Sequence, residues 1–153
     1  MPAKKSAPPH GATITALTAM LADSYTLYLK TQNFHWNVTG PMFTTLHTLF
    51  ETQYTDLALA VDEIAERVRA LNASVPGSFS EFAKIATVRE SVGPVTAKTM
   101  IATLVADQEL LARAARAVIA AAEKEGDTGS ADLATRRLQT HDKNAWMLRS
   151  HLE

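Results

Sequence analysis

Between Phe43 and Val68 an apolar residue recurs at every third or fourth position: Phe43, Leu46, Phe50, Tyr54, Leu57, Val61, Ile64 and Val68. That rhythm matches one face of an α-helix at about 3.6 residues per turn. It does not match a strand, whose side chains alternate every second residue. The segment from about Met42 to Asn72 therefore reads as one helix, roughly 45 Å long. A helix of that length with a single apolar stripe needs neighbours to cover it, which points to a helical bundle.

The flanking segments supply those neighbours. Ile14, Leu17, Leu21 and Tyr28 recur at helical spacing, so a first helix is expected over about Thr13 to Asn37, ended by Gly40-Pro41. Ala73 to Val95 carries Pro76, Gly77, Gly93 and Pro94 and reads as a connector, with a short amphipathic helix around Phe79, Phe82 and Ile85. Two further helices fit about Thr96 to Glu125 and Ser130 to Leu152, separated by Gly126-Asp127-Thr128-Gly129. Their inward residues are expected to be Met100, Leu104, Leu111, Ala115, Val118 and Ala122, then Leu133, Leu138, Trp146 and Leu148. Residues 1–12, with Pro2, Pro8 and Pro9, read as a flexible tail, and 13–153 as one all-α four-helix-bundle domain. At 153 residues the chain suffices for one such domain.

Composition narrows the chemistry. There is no cysteine, which excludes disulfides, thiolate catalysis, iron–sulfur clusters and cysteine zinc sites. Any metal must be held by His, Asp and Glu, a donor set that suits iron, manganese or zinc. Lys+Arg is 15 against Asp+Glu 16, a net charge of -1, so the body of the protein is a poor general nucleic-acid binder. No run of about 20 apolar residues could span a membrane. No basic segment followed by an apolar one marks a secretory signal.

Five residues stand out: His35, His47, Glu51, Asp62 and Glu66. His47 and Glu51 are four apart on the long helix, and so are Asp62 and Glu66, so each pair shares a face. With His47 at zero on a helical wheel, Glu51 falls near 40°, Asp62 near 60° and Glu66 near 100°. The apolar stripe occupies about 260–340° on the same wheel, and Asp56, Glu63 and Arg67 fall near 160–200°, expected to meet solvent. The ligand-type residues thus form one continuous edge beside the core stripe.

His47 and Asp62 are nevertheless fifteen residues apart, about 22 Å along a helix, whereas metal–ligand bonds are about 2 Å. Either these are two unrelated sites, or a second copy of the helix runs antiparallel across a two-fold axis and His47 of one chain meets Asp62 and Glu66 of the other. His35 would add a second imidazole. A hydrogen-bonded core histidine with surface carboxylates would use the same letters, and spacing alone leaves both readings standing. On composition alone Trp36 reads as a core or interface aromatic rather than a functional one.

The run Asn33-Phe34-His35-Trp36-Asn37-Val38-Thr39-Gly40, then His47, then Asp62-Glu63-Ile64-Ala65-Glu66-Arg67, resembles the Dps family, the mini-ferritins. The similarity extends from about Ile14 to Leu152. The Glu-x-x-His motifs of larger ferritin-like di-iron proteins are absent.

The resemblance implies a ferritin-like four-helix bundle with a short extra helix in the central connector, assembled into a cytoplasmic shell of twelve subunits. It implies a ferroxidase centre between two-fold-related chains, with His35 and His47 from one and Asp62 and Glu66 from the other. Glu51 would be an auxiliary ligand and Trp36 an electron donor beside the iron. Fe(II) would be the substrate, hydrogen peroxide the oxidant and an enclosed Fe(III) mineral the product, with other divalent metals able to enter the same site. Some of Glu123, Asp127 and Asp132 would line an iron-entry pore. The family's DNA-compacting members use lysine-rich tails; here the tail offers Lys4 and Lys5, so a mainly structural DNA-binding protein with weak or no ferroxidase activity is the alternative.

Overall fold

A computed structural model describes residues 8–153. Five helices follow in order: α1 (Gly11–Asn37), α2 (Phe43–Ala70), α3 (Phe79–Ile85), α4 (Ala97–Lys124) and α5 (Thr128–Arg149), with no strand among the described residues. The two hairpins, α1 with α2 and α4 with α5, pack through α1 against α4, and the short α3 lies on α1. The architecture is the expected all-α bundle with an extra helix in its connector. The expected tail up to residue 12 falls mostly on residues 1–7, outside the described part, and α1 begins at Gly11.

The apolar stripes fill the interior. Leu17, Leu27 and Phe34 of α1 meet Leu46, Phe50, Leu57, Ile64 and Val68 of α2, with Met100, Leu104 and Leu111 of α4 and Leu148 of α5. The α4–α5 turn is compact because one residue serves both helices. Gly126, at φ 72, lets Asp127 N–H donate to Ala122 O (2.8 Å) and close α4. The Asp127 carboxylate then accepts from Ser130 N–H (3.1 Å) and opens α5.

Three expectations need correcting. Trp146 does not face inward and is 61% exposed. It is two residues from buried Leu148, about 200° away on the wheel, so both cannot point into the core. Asp56 and Arg67 do not face open solvent. Helix α2 has two neighbours, and its far side meets α5, where Arg137 donates to both Asp56 oxygens (3.1 and 2.9 Å) and Arg67 to Asp127 (2.6 Å). Phe43, at the head of the stripe, is 44% exposed rather than buried.

Candidate metal centre

α1 ends at Asn37 and α2 begins at Phe43, so the Gly40-Pro41 turn brings the last turn of one helix beside the first turn of the next. His35 and His47 face each other across that seam. Carbonyls in a helix's final turn lack a partner within the helix. The His35 carbonyl finds one in His47, whose Nδ1–H donates to it at 2.7 Å. The reverse bond, His35 Nδ1–H to His47 O, is also 2.7 Å. A carbonyl only accepts, so both Nδ1 atoms carry the proton. In each neutral ring that leaves Nε2 as the free lone pair, the arrangement that orients a metal-binding imidazole.

The two rings lie nearly parallel, 17° apart with centroids 3.7 Å apart. Phe43 stacks on His47 (5.0 Å), and Tyr54 meets His35 edge-on (5.1 Å). His35 is buried and His47 half-buried, and each imidazole is oriented by its hydrogen bond to the other's backbone carbonyl.

The carboxylates lie elsewhere. Helix α2 runs unbroken through Asp62 and Glu66, which are exposed, as is Glu51. Among the described residues, no three His, Asp or Glu side chains of one chain gather around one point. The structure therefore brings His35 and His47 together and leaves Asp62 and Glu66 apart from them. Asp62 stands on the rim of an open, mainly apolar groove of about 450 Å³, lined by Leu21, Tyr25, Val61, Phe79 and Phe82. Phe79 of its lining is 72% exposed, and Leu59, next in sequence to the lining residue Ala58, is 73% exposed. Trp36, also exposed, makes no ring contact among the described residues.

The turn acids separate by environment. Glu123 and Asp132 are exposed, whereas Asp127 is buried and committed to capping α5 and pairing with Arg67. Burial raises its pKa, but the Ser130 hydrogen bonds and Arg67 outweigh burial and hold it below the usual carboxylate range. That tether gives it a structural role in the α4–α5 turn.

A ferritin-like domain matches residues 14–153. A low temperature-induced protein of Nostoc sp. is 44% identical over 142 residues, covering 92% of this chain and 79% of that protein. "DNA protection during starvation protein 2" of Bacillus anthracis is 34% identical, covering 91% of this chain and 95% of its own. The crystal structure of a Dps protein from Vibrio cholerae superposes with a TM-score of 0.90 at 32% identity, covering 95% and 91% of the two chains. The chain belongs to the Dps family. The Vibrio cholerae protein is described as a member of a superfamily of ferritin-like diiron-carboxylate proteins.

Sequence reading missed the partners of the histidine pair. Tyr54 was legible only as a stripe residue and Phe43 only as its head. A signal was present: Tyr54 follows His47 by seven residues, two helical turns, which puts both on one face.

Proposed function

We propose that the protein oxidises Fe(II) and stores the resulting Fe(III) as mineral inside a closed shell. The observation that carries this reading is the reciprocal histidine pair, both Nδ1 atoms tied to backbone and both Nε2 atoms left for a cation. Iron is the substrate. His35 and His47 of one copy hold it together with Asp62 and Glu66 of a second copy docked on the apolar face around Leu59 and Phe79. Two imidazoles and two carboxylates leave coordination positions open to an oxidant. Glu51, one turn beyond His47, is an auxiliary ligand, and Trp36 a nearby electron donor.

Hydrogen peroxide is the proposed oxidant. Two Fe(II) ions give one electron each, and peroxide with two protons leaves as two waters, so no hydroxyl radical is released. The Fe(III) then hydrolyses on acidic inner surface; Glu123, Asp127 and Asp132 are the candidates for the entry path. Twelve copies, as in the family the sequence resembles, would close the shell, and the protein would act in the cytoplasm during oxidative stress. No described helix is long and apolar enough to cross a membrane.

Stopped-flow oxidation of Fe(II) by peroxide, followed at the ferric absorption band, tests the reading. His47→Ala and Asp62→Asn should each abolish the fast phase. Unchanged kinetics would sink the site assignment.

A second reading, DNA compaction by the tails, draws on the name of the Bacillus anthracis relative. It rests on Lys4 and Lys5, which lie outside the described residues. Gel-shift titration in rising salt, with and without residues 1–10, decides it: binding that survives tail removal contradicts the tail mechanism.

A further inference from the structure

The histidine pair is one end of a continuous chain of aromatic rings. From His35 the edge contact to Tyr54 is 5.1 Å between centroids, and Tyr54 stands 6.0 Å from Tyr28 across the α1–α2 seam. Tyr28 meets Tyr25 edge-on at 5.9 Å. Tyr25 then packs on Phe82 at 5.2 Å and on Phe79 at 6.2 Å. Phenylalanine rings are far harder to oxidise than phenols, so the oxidisable part ends at Tyr25. That residue lines the same groove as Asp62.

The placement follows from helical geometry. Tyr28 precedes His35 by seven residues and Tyr54 follows His47 by seven, and the two helices are antiparallel. Two turns back from the seam, both tyrosines lie on the faces that meet. All three are half-buried, so each phenol can release its proton to water when it loses an electron. Packing alone would accept phenylalanine at these positions, as it does at Phe34 and Phe50 in the core.

We infer that Tyr54, Tyr28 and Tyr25 form an electron relay joining the imidazole pair to the groove beside Asp62. This rests on the iron-oxidation reading above. Peroxide needs two electrons, and a centre holding one Fe(II) supplies one. Tyr54 supplies the other: Fe(II), hydrogen peroxide and the phenol give Fe(III), hydroxide, water and a neutral phenoxyl radical. The O–O bond breaks, the phenol O–H proton ends in the water, and charge balances. The radical then moves as Tyr28 reduces Tyr54, and Tyr25 reduces Tyr28; in each step one electron passes between the two tyrosines while the donor phenol gives a proton to solvent and the acceptor takes one up. At the groove Tyr25 stands on the side of Asp62, which the second copy's histidines complete into the other centre of the pair. Fe(II) there returns one electron, and with a proton restores the phenol. One peroxide is thereby reduced by two single irons at separate centres.

Rapid-freeze electron paramagnetic resonance of the full chain, loaded with less than one Fe(II) per subunit and mixed with peroxide, tests the relay. The wild type is expected to show a transient tyrosyl radical whose splitting collapses on ring-deuterated tyrosine. Tyr54→Phe should lose that signal, the ring being kept so that packing stays intact. Tyr25→Phe should keep the signal but slow its decay, because the radical strands at Tyr28. A tyrosyl signal of wild-type size in Tyr54→Phe would overturn the relay, as would unchanged decay in Tyr25→Phe or a radical insensitive to tyrosine deuteration. Ferric absorption recorded on the same samples separates the two levels. Iron oxidised without any tyrosyl radical overturns the relay alone, and iron left as Fe(II) overturns the oxidation reading with it.

Discussion

A site divided between two chains can be tested by complementation. One variant carries His35→Ala with His47→Ala, and the other Asp62→Asn with Glu66→Gln. Each alone should lack fast iron oxidation. On the unbroken α2 helix, His47 and Asp62 are separated by about 22 Å, so neither variant can repair itself by local movement. Now both are co-expressed and assemble at random. About half of the two-fold pairs contain one chain of each kind, because the pairing is isologous. In such a pair one centre takes its histidines and carboxylates from the two intact halves, and the other takes both mutated halves. About one quarter of all centres should therefore work. Differential tags and mass spectrometry fix the mixing ratio, and the amplitude of the fast ferric phase per subunit reads the fraction. A centre contained in one chain would give no recovery at any ratio. Zero amplitude in mixed, fully assembled protein would refute the shared site.

Three further outcomes follow from other parts of the fold. Leu59→Lys puts a charge on the exposed α2 face beside Asp62 and Glu66; sedimentation should show loss of assembly with helical circular dichroism retained, and intact assembly would contradict the docking face. Gly126→Ala meets no neighbour within 4 Å, so its cost is the backbone at φ 72, about 1 kcal/mol, or roughly 2–4 °C in Tm by calorimetry. His141 is pushed down to about 3 by burial and then by the Arg137 guanidinium, so it stays neutral while an unfolded imidazole takes up a proton below about 6.5. The unfolded state therefore binds the extra proton, and stability present above pH 6.5 falls by about 1.4 kcal/mol per pH unit down to about pH 3. His141→Gln should remove that one-proton slope in urea midpoints taken across the window; an unaltered slope would contradict the assignment.

The helices were legible because their stripes are long and their breakers sharp. Gly40-Pro41 and Gly126-Asp127 mark turns that the backbone needs at φ 106 and φ 72, and the short helix at Phe79–Ile85 sits where its three apolar residues place it. Boundaries moved by one to three residues because caps decide them: Asp127, read as part of a break, opens α5. What a single-helix wheel cannot supply is a second neighbour. Asp56 and Arg67 looked solvent-facing because α2 was read against one core, whereas Arg137 of α5 and its N-cap Asp127 answer them; Glu63 is exposed as expected and also reaches Arg136. The imidazoles at His35 and His47 were readable as candidate ligands. Their mutual hydrogen bonds were not, because these join one helix's last turn to the next helix's first across a turn whose path no periodicity records.

The bundle interior holds another buried histidine, and comparing it with the seam pair shows why a cation would find no seat in the core. His141 is fully buried, its Nδ1–H donates to Gln108 (2.7 Å), and its Nε2 faces the Arg137 guanidinium at 3.5 Å. Both nitrogens are engaged, and the nearest charge is already positive. The carboxylate that could offset it, Asp56, is taken up by Arg137 through two hydrogen bonds. A divalent ion there would face a cation in a low-dielectric interior with no free anion, a large penalty. At the seam the same residue type has Nδ1 engaged with a neutral carbonyl, and among the described residues no cationic side chain pairs with it. The uncompensated carboxylates Asp62 and Glu66 stay in water on the free chain, where ionisation costs little, and would lose that water only on docking against a cation. In the proposed shared site, placing one half of the charge on each chain would spare the monomer a buried anion and tie the assembled site to the interface that forms it.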